Sequence, residues 1–412
     1  MLASRFGDAG EGVMLGVVLF AIGWLVVGLY RLGRESFAWP VGVLAAVIFA
    51  TRVPPLNFGI RGYVDLPAIA FVVWAAVLEA RRPRRGWPVL VLLGLAGLLR
   101  PEAWLFTAVY WLWLLPGRDW RGRVGLALLA AAAPAIWLAS DLAVTGDALW
   151  SLHGTHDLAG QLKRPTGLEN VPTLMPRRLG EIMRLPELIA AVLGFAAALA
   201  WMRRRALLPA AVLVLNGVAY LVLAAAGLPL LGRYLFLAGA MLSLFAAVAV
   251  FGWTALAADN RLRHGWRIGG LVVLAAILVF LPNQVDRLTT LHDDIAARQR
   301  VDADLHSLVK DPDVRPALRR SPEDGCLPLY APNHRPVPQL AYWTGLRPSQ
   351  IVTPARRPPR AEDLFLAPAN ARVAKLSILD KRDVTAPARR PARTRVLARN
   401  RSWVIYSGCH PD

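Results

Sequence analysis

Residues 87–115 read WPVLVLLGLAGLLRPEAWLFTAVYWLWLL, apolar on both sides of one charged turn, Arg100-Pro101-Glu102. A helix crosses a bilayer in about 20 apolar residues, with about 17 to 25 usual, so roughly 29 is too long for one unbroken span. Arginine clusters bracket the stretch, Arg81 to Arg85 before it and Arg118 to Arg123 after it. Short Arg-rich loops stay cytoplasmic, which places both ends of the stretch on one side. The pattern predicts a hairpin of two short helices whose turn reaches the outer half of the membrane. Pro101 suits the first position of the returning helix, and the residue before a proline is biased out of the helical region. The alternative is one tilted span kinked at Pro101. It would reverse every later loop and put three later arginine clusters outside.

Working outward, Arg31 and Arg34, Arg203 to Arg205 and Arg261 to Arg267 also follow hydrophobic runs. Further spans are predicted at 13–30, 38–51, 64–80, 124–144, 185–201, 208–226, 233–256 and 268–283. With the hairpin they make about ten membrane segments, with both termini outside. Between 38–51 and 64–80 lies TRVPPLNFGIRGYVD, where Pro54 and Pro55 argue against a helix. Met1 to Val13 carries Arg5, Asp8 and Glu11 and lacks a signal-peptide core. An external N-terminus without a signal peptide leads us to expect an earlier helix upstream of Met1.

Composition agrees with a membrane protein. The 412 residues are 56% hydrophobic and only 18% charged, where a soluble domain would have about a quarter charged, and the mean hydropathy is +0.42. The expected fold class is an all-α polytopic membrane bundle over 1–283, with a small α/β extracytoplasmic domain over 284–412. The net charge of +19 sits in short loops and a Pro/Arg-rich C-terminal part, with no recognisable nucleic-acid module. Anionic lipid headgroups are the simpler partner.

Within 284–412, LTTLHDDIAARQRVDADLHSLVK is helix-compatible, while LPLYA and SWVIYSG look like strands. Between those strands, ARRPPR and TAPARRPARTR favour loops or disorder over core. The two cysteines, Cys326 and Cys409, both fall in this part. An external position would permit a disulfide; two separate thiols are the alternative, because sequence carries no pairing geometry. No internal repeat indicates a transporter built from duplicated halves.

The residues able to do chemistry gather on the loops read as external. Asp65, in GYVDLPAIAF, begins a membrane helix, and an acid there is costly unless it meets water, a partner or a substrate. Its plainer role would be to satisfy helix N-terminal N–H groups. Arg52 and Arg61 share its loop, and Arg100 and Glu102 are expected at similar depth. Arg100 would suit an anionic headgroup and Glu102 a hydroxyl or metal, or the two would pair only with each other.

The external loop 145–184 is long enough for one or two surface helices, and its length suggests function. It carries His153 and His156, whose spacing of three shares a helical face, yet no HExxH or cysteine pair completes a zinc site. Arg233, in GLPLLGRYLF, would suit phosphate or snorkel to lipid headgroups. Neither a Walker A sequence nor a strand-linked GxGxxG is present, so no nucleotide cofactor is expected.

Taken together, RLGRE after the first helix, GYVDLPA in an outer loop, LLRPEAW in a short hairpin and GRYLF later resemble the GT-C class of integral-membrane glycosyltransferases. The nearest likeness is to bacterial relatives of the polyprenyl-phosphate-dependent mannosyl and arabinosyl transferases. The resemblance covers residues 1 to about 283 and rests on order and topology more than on any one motif. It implies an inner-membrane enzyme with an extracytoplasmic site that moves a sugar from a polyprenyl-phosphate carrier to an acceptor hydroxyl on a glycan, lipid or protein, with inversion.

Members commonly use two outer-loop acids and often a divalent metal, Mg or Mn. Asp65 matches the second acid by position, as catalytic base or metal ligand. The loop for the first would lie before Met1, since Asp8 and Glu11 match only its end. Arg61, Arg100, Glu102, His156 and Arg233 are the expected substrate contacts. The rival expectation is a non-catalytic scaffold that binds a lipid-linked glycan or a partner protein.

Overall fold

The computed structural model describes residues 10–319, 327–354, 356–378 and 389–408. Cys326 and Cys409, and with them the expected disulfide, lie outside the described residues, as does Asp8. Contacts divide the chain into two compact units, one holding Glu11–Gly160 and Arg164–Leu288, the other Thr289–Asp412 with Met1–Gly10 and Gln161–Lys163.

The first unit is helical. Its elements are α1 (Gly10–Ser36), α2 (Trp39–Ala50), α3 (Val53–Ile60), α4 (Asp65–Arg81), α5 (Trp87–Leu99), α6 (Ala103–Leu114) and α7 (Trp120–Thr145). They continue with α8 (Trp150–Gln161), α9 (Val171–Met183), α10 (Leu185–Trp201), α11 (Arg203–Ala225), α12 (Phe236–Phe251), α13 (Leu262–Val279) and the start of α14 (Leu281–Val309). Among the described residues five helical stretches are long and apolar enough to cross a membrane, and two bent pairs, α2 with α3 and the α9 region with α10, bring the number to seven. The bundle therefore supports membrane association.

The hairpin expected at 87–115 is formed by α5 and α6. Arg100 is extended, with φ −148° and ψ 115°, as proline demands of the residue before it. Ala103 and Trp104 then donate their N–H groups to the Arg100 and Pro101 carbonyls at 3.0 and 2.9 Å. Helix resumes at Ala103, so Pro101 sits in the turn and not at the first helical position. Trp104 Nε1 donates to the Gly97 carbonyl at 3.0 Å and ties the two arms together.

One expectation fails nearby. Val53–Ile60 is helical despite Pro54 and Pro55, because both prolines lie in the first turn, where a missing N–H forfeits no helical hydrogen bond.

Contacts sort the loops into two ends. At one, Arg81 pairs with Glu35 at 3.0 Å, and Arg205 donates to the Ala255 carbonyl at 3.0 Å. At this end the buried Glu79 carboxylate accepts from the N–H groups of Arg84 and Arg85, the Tyr110 hydroxyl and Trp113 Nε1, at 2.7, 3.3, 2.6 and 3.2 Å. Glu79 thereby fixes the Arg-rich turn. The opposite end gathers Asp65, the hairpin turn, the α9–α10 break and the approach to α12.

The core is built around α12, every residue of which from Phe236 to Val250 is buried. A helix apolar on all faces belongs inside a bundle. Gly194 of α10 allows the closest approach: a Cβ there would lie 1.9 Å from the Phe245 carbonyl oxygen of α12. Small residues at such crossings let backbones meet.

In the second unit, the later part of α14 packs Val301, Leu305 and Leu308 against a sheet of β1 (Leu327–Tyr330), β2 (Asp363–Pro368), β3 (Arg395–Arg399) and β4 (Trp403–Ser407). The order is β1-β2-β4-β3, with β1 and β2 parallel and the other pairs antiparallel. Trp403, fully buried, donates Nε1 to the Val301 carbonyl at 2.9 Å and locks sheet to helix. LPLYA and SWVIYSG supply β1 and β4, as expected. The interval between them holds more structure than its composition promised, because DLFLAP forms the central strand β2 and Val337–Thr344 a short helix. Asp363 at the start of β2 is buried and bidentate to Arg357, at 2.6 and 2.7 Å. The Pro/Arg bias thus includes a core ion pair.

Candidate functional site

Asp65 is the first residue of α4, follows the turn Arg61–Val64, and is 1% exposed. Val64 holds the N-cap position, and the Asp65 Oδ2 accepts no hydrogen bond. The carboxylate faces Arg100: one guanidinium nitrogen of Arg100 pairs with Asp65 Oδ1, and Nε donates to Glu102 Oε1 at 2.7 Å. The hairpin turn therefore delivers a cation that bridges two carboxylates. Arg100 and Glu102 do not pair only with each other.

Arg233 enters from the other side. It lies in the 3-10 turn Gly232–Leu235 that leads into α12, and its Nη1 is 4.0 Å from Asp65 Oδ2. Asn216 of α11 holds this turn, donating Nδ2 to the Tyr234 carbonyl and accepting from the Ala238 N–H, both at 3.0 Å. The Tyr234 ring lies under Arg100 at 4.6 Å and beside Arg233 at 5.7 Å, and Tyr63 stacks on Arg233 from the loop side at 5.7 Å. These aromatic faces keep both guanidinium groups in place.

The groups line a half-open cleft of about 40 Å³. That is room for about three waters. Asp65, Arg100, Glu102, Asn216, Arg233 and Tyr234 line its polar side, and Ile69, Val72, Phe106 and Leu237 its apolar side.

Two buried polar atoms without partners, Asp65 Oδ2 and Arg233 Nε, belong to residues that line the cleft, and two more, Arg178 Nε and the Tyr220 hydroxyl, belong to residues outside its lining. Arg178 of α9 packs its Cδ 3.2 Å from where a Gly232 Cβ would stand, and the Tyr220 hydroxyl is within electrostatic reach of Arg178 and Tyr234. Unsatisfied buried groups are costly and call for an explanation. An unclaimed donor and an unclaimed acceptor on one cleft match a ligand that carries acceptor oxygens and a donor, such as a phosphate ester bearing hydroxyls.

The other expected residues fall elsewhere. Arg61 is exposed, with its guanidinium 5.4 Å from the Tyr63 ring, and does not line the cleft. His156 Nδ1 meets the Gly227 carbonyl at 3.1 Å, a link between α8 and the loop before α12. His153 meets Asp147 at 2.7 Å on the surface. The Leu149 N–H and then the His153 ring hold the Asp147 carboxyl below its ordinary value. Arg52, grouped with Asp65 by sequence, turns away to pair with Glu187 at 2.8 Å.

The arrangement does not suit a divalent ion. The guanidinium of Arg100 occupies the space between the two carboxylates, with Arg233 adjacent, where a metal would have to displace a cation. Among the described residues no group of three His, Cys, Asp or Glu side chains converges.

Sequence reasoning missed Arg178, Asn216, Tyr220 and Tyr63. Asn216 and Tyr220 left a signal in their positions, being polar groups four residues apart in an apolar helix. Compared with protein-family models, with curated proteins and with solved structures, the chain matches none.

Proposed function

We propose that the chain transfers a sugar from a polyprenyl-phosphate carrier to an acceptor hydroxyl, at the cleft between α4, the α5–α6 turn and the turn before α12. One observation carries the reading: Asp65 Oδ2 and Arg233 Nε are both buried, both unpartnered, and line the same cleft. A carboxylate oxygen with unclaimed lone pairs can take a proton, and an unclaimed guanidinium N–H can bind a phosphate oxygen.

The acceptor hydroxyl attacks the anomeric carbon while Asp65 Oδ2 accepts its proton as general base. The bond from that carbon to the phosphate oxygen breaks, and the electron pair leaves with the polyprenyl phosphate. Arg233, with Arg178 and Tyr220 behind it, holds the charge that develops on that oxygen. Arg100 is committed to Asp65 and Glu102, so its part is to aim the carboxylate. Glu102 holds Arg100. No step requires a metal.

The likeness of GYVDLPA, LLRPEAW and GRYLF to GT-C enzymes supports the same reading. The arginine clusters at the other end support an extracytoplasmic location for this end of the bundle.

The test is transfer from radiolabelled polyprenyl-phosphate sugars in membranes containing the chain or its Asp65→Asn variant, at matched expression and insertion. Transfer that Asp65→Asn lowers by about 10²-fold or more identifies the base. Transfer equal in both forms removes Asp65 from that role. Absence of transfer across a broad donor and acceptor set would favour the scaffold that binds a lipid-linked glycan.

A further inference from the structure

A second polar cavity opens at the same end of the bundle, at the break between α9 and α10. The helical path bends there by 106°, and Arg184, the residue at the bend, has a φ of +64°. Glycine would take that conformation without strain, whereas an arginine is held there at a cost. The position invites a role for its side chain.

Around the break, Arg52, Arg184 and Arg287 surround one carboxylate, that of Glu187. Arg52 is committed: its guanidinium donates to Glu187 Oε1 at 2.8 Å, to the Met183 carbonyl at 3.1 Å and to the Ile48 carbonyl at 3.0 Å. Arg287, near the start of α14, lies within electrostatic reach of Arg184, Arg52 and Glu187. Among the described residues neither Arg184 nor Arg287 forms an ion pair. Arg184 and Glu187 line the cavity, with Arg52 and Arg287 beside it, so three cations share one carboxylate and the surroundings are positive. An anion would balance them.

Glu187 carries a second, independent signal. It is 4% exposed, lines the cavity, and its Oε2 has no hydrogen-bond partner. An anion alone would leave that oxygen unsatisfied. The ligand must therefore present a hydrogen-bond donor beside its negative charge.

Size and surroundings narrow the class further. The cavity encloses about 330 Å³, enough for a headgroup. Leu185 and Phe280 line it, and Ile189 and Leu281 stand next to them on α10 and α14, all 50% to 68% exposed. Apolar side chains so placed would lie against hydrocarbon.

The geometry points to a lipid site in which Arg184 and Arg287 hold the phosphate ester of a membrane lipid and Glu187 Oε2 accepts from that lipid's ammonium or hydroxyl group. Its chain runs along Leu185, Ile189, Phe280 and Leu281. The chemistry is shared by bilayer phospholipids with ethanolamine or glycerol headgroups and by singly protonated polyprenyl phosphates, whose P–OH is their one donor. The site does not depend on the catalytic reading of Asp65.

The experiment is native mass spectrometry of the full chain, delipidated in detergent, titrated separately with palmitoyl-oleoyl phosphatidylethanolamine, phosphatidylglycerol, phosphatidylcholine, undecaprenyl phosphate, dioleoylglycerol and inorganic phosphate. We expect one saturable adduct with the ethanolamine or glycerol lipid or with undecaprenyl phosphate, whichever is tighter naming the source. Phosphatidylcholine, which has no donor for Glu187, should bind more weakly, and dioleoylglycerol weakest.

Arg184→Gly combined with Arg287→Gln should weaken the adduct by at least about tenfold, while Arg267→Gln at the opposite end leaves it unchanged. Arg184→Gly relieves the backbone, so thermal unfolding should show an intact protein. Equal binding by the double variant, equal binding of dioleoylglycerol, or binding of inorganic phosphate without lipid would overturn the assignment. Equal binding of phosphatidylcholine would remove Glu187 from it.

Discussion

Asp65 and Arg233 approach to 4.0 Å across the cleft, and each keeps one buried atom, Oδ2 and Nε, without a hydrogen bond. A pair arranged only for stability would close that gap, since buried charges gain from complete hydrogen bonding. The open geometry leaves both groups ready for a third molecule.

Arg233→Ala should therefore lower kcat/KM for sugar transfer by about 10²- to 10³-fold, the size expected when one donor to a developing oxyanion is lost. Arg233→Lys should recover only part, because a point charge replaces a fork. Arg61→Ala, at an exposed position outside the cleft, should cause a much smaller loss. Radiolabel transfer at varied donor concentration measures all three, and equal losses for Arg61→Ala and Arg233→Ala would contradict the roles given them.

Part of this site was legible in the sequence because its signals were local. LLRPEAW exposes a proline and two charges inside a stretch too long for one span, and GYVDLPA places an acid at a helix start. The remainder depends on contacts between distant elements. Arg178, Asn216 and Tyr220 come from α9 and α11, and no spacing rule links them to Asp65. Arg52 misled by adjacency: α3, which proline-based reasoning denied, lies between it and Asp65, and Arg52 pairs with Glu187 of α10. In the second unit, β2 was hidden because Pro/Arg bias on both sides outweighed a six-residue strand.

At the opposite end of the bundle, Glu79 gathers four donors onto one carboxylate, two of them backbone N–H groups of the Arg-rich turn. Glu79→Ala leaves them without an acceptor, at about 1–3 kcal/mol for each buried donor not rescued by water. The expected result is a lowered unfolding temperature in detergent and faster tryptic cleavage between Arg81 and Arg85. Tyr110→Phe removes one donor and should show a smaller change in the same direction. Unchanged cleavage in Glu79→Ala would mean that the turn is held by something else.

Helix packing gives a paired test. Gly194→Ala sets a Cβ 1.9 Å from the Phe245 carbonyl oxygen, whereas a Cβ on Gly94 of α5 meets nothing within 4 Å. Backbone cannot yield as a side-chain tip does, so Gly194→Ala should destabilise by about 1–3 kcal/mol or more by forcing α10 from α12. Gly94→Ala should be neutral or stabilising by up to about 1 kcal/mol, through helix propensity. Thermal unfolding of the two variants under one detergent condition separates them. Equal effects would show that α10 and α12 do not cross this closely.

The second unit supplies a pH prediction. Tyr330 is fully buried in β1, donates its hydroxyl to the Arg357 carbonyl at 2.9 Å, and burial pushes its phenol from 10.0 up to about 12. Because the folded value lies above the unfolded one, the stabilising contribution is fully present below pH 10 and is lost as pH rises from 10 to about 12. In that window the unfolded chain sheds the proton while the folded chain retains it, so alkali favours unfolding. Tyr330→Phe keeps the ring and removes the titration. The variant should therefore lose less stability than the parent between pH 10 and 12, read by thermal unfolding across a pH series, with tyrosinate absorbance reporting one fewer late-titrating phenol. Parallel stability curves for the two proteins would show that Tyr330 is not coupled to folding in this range.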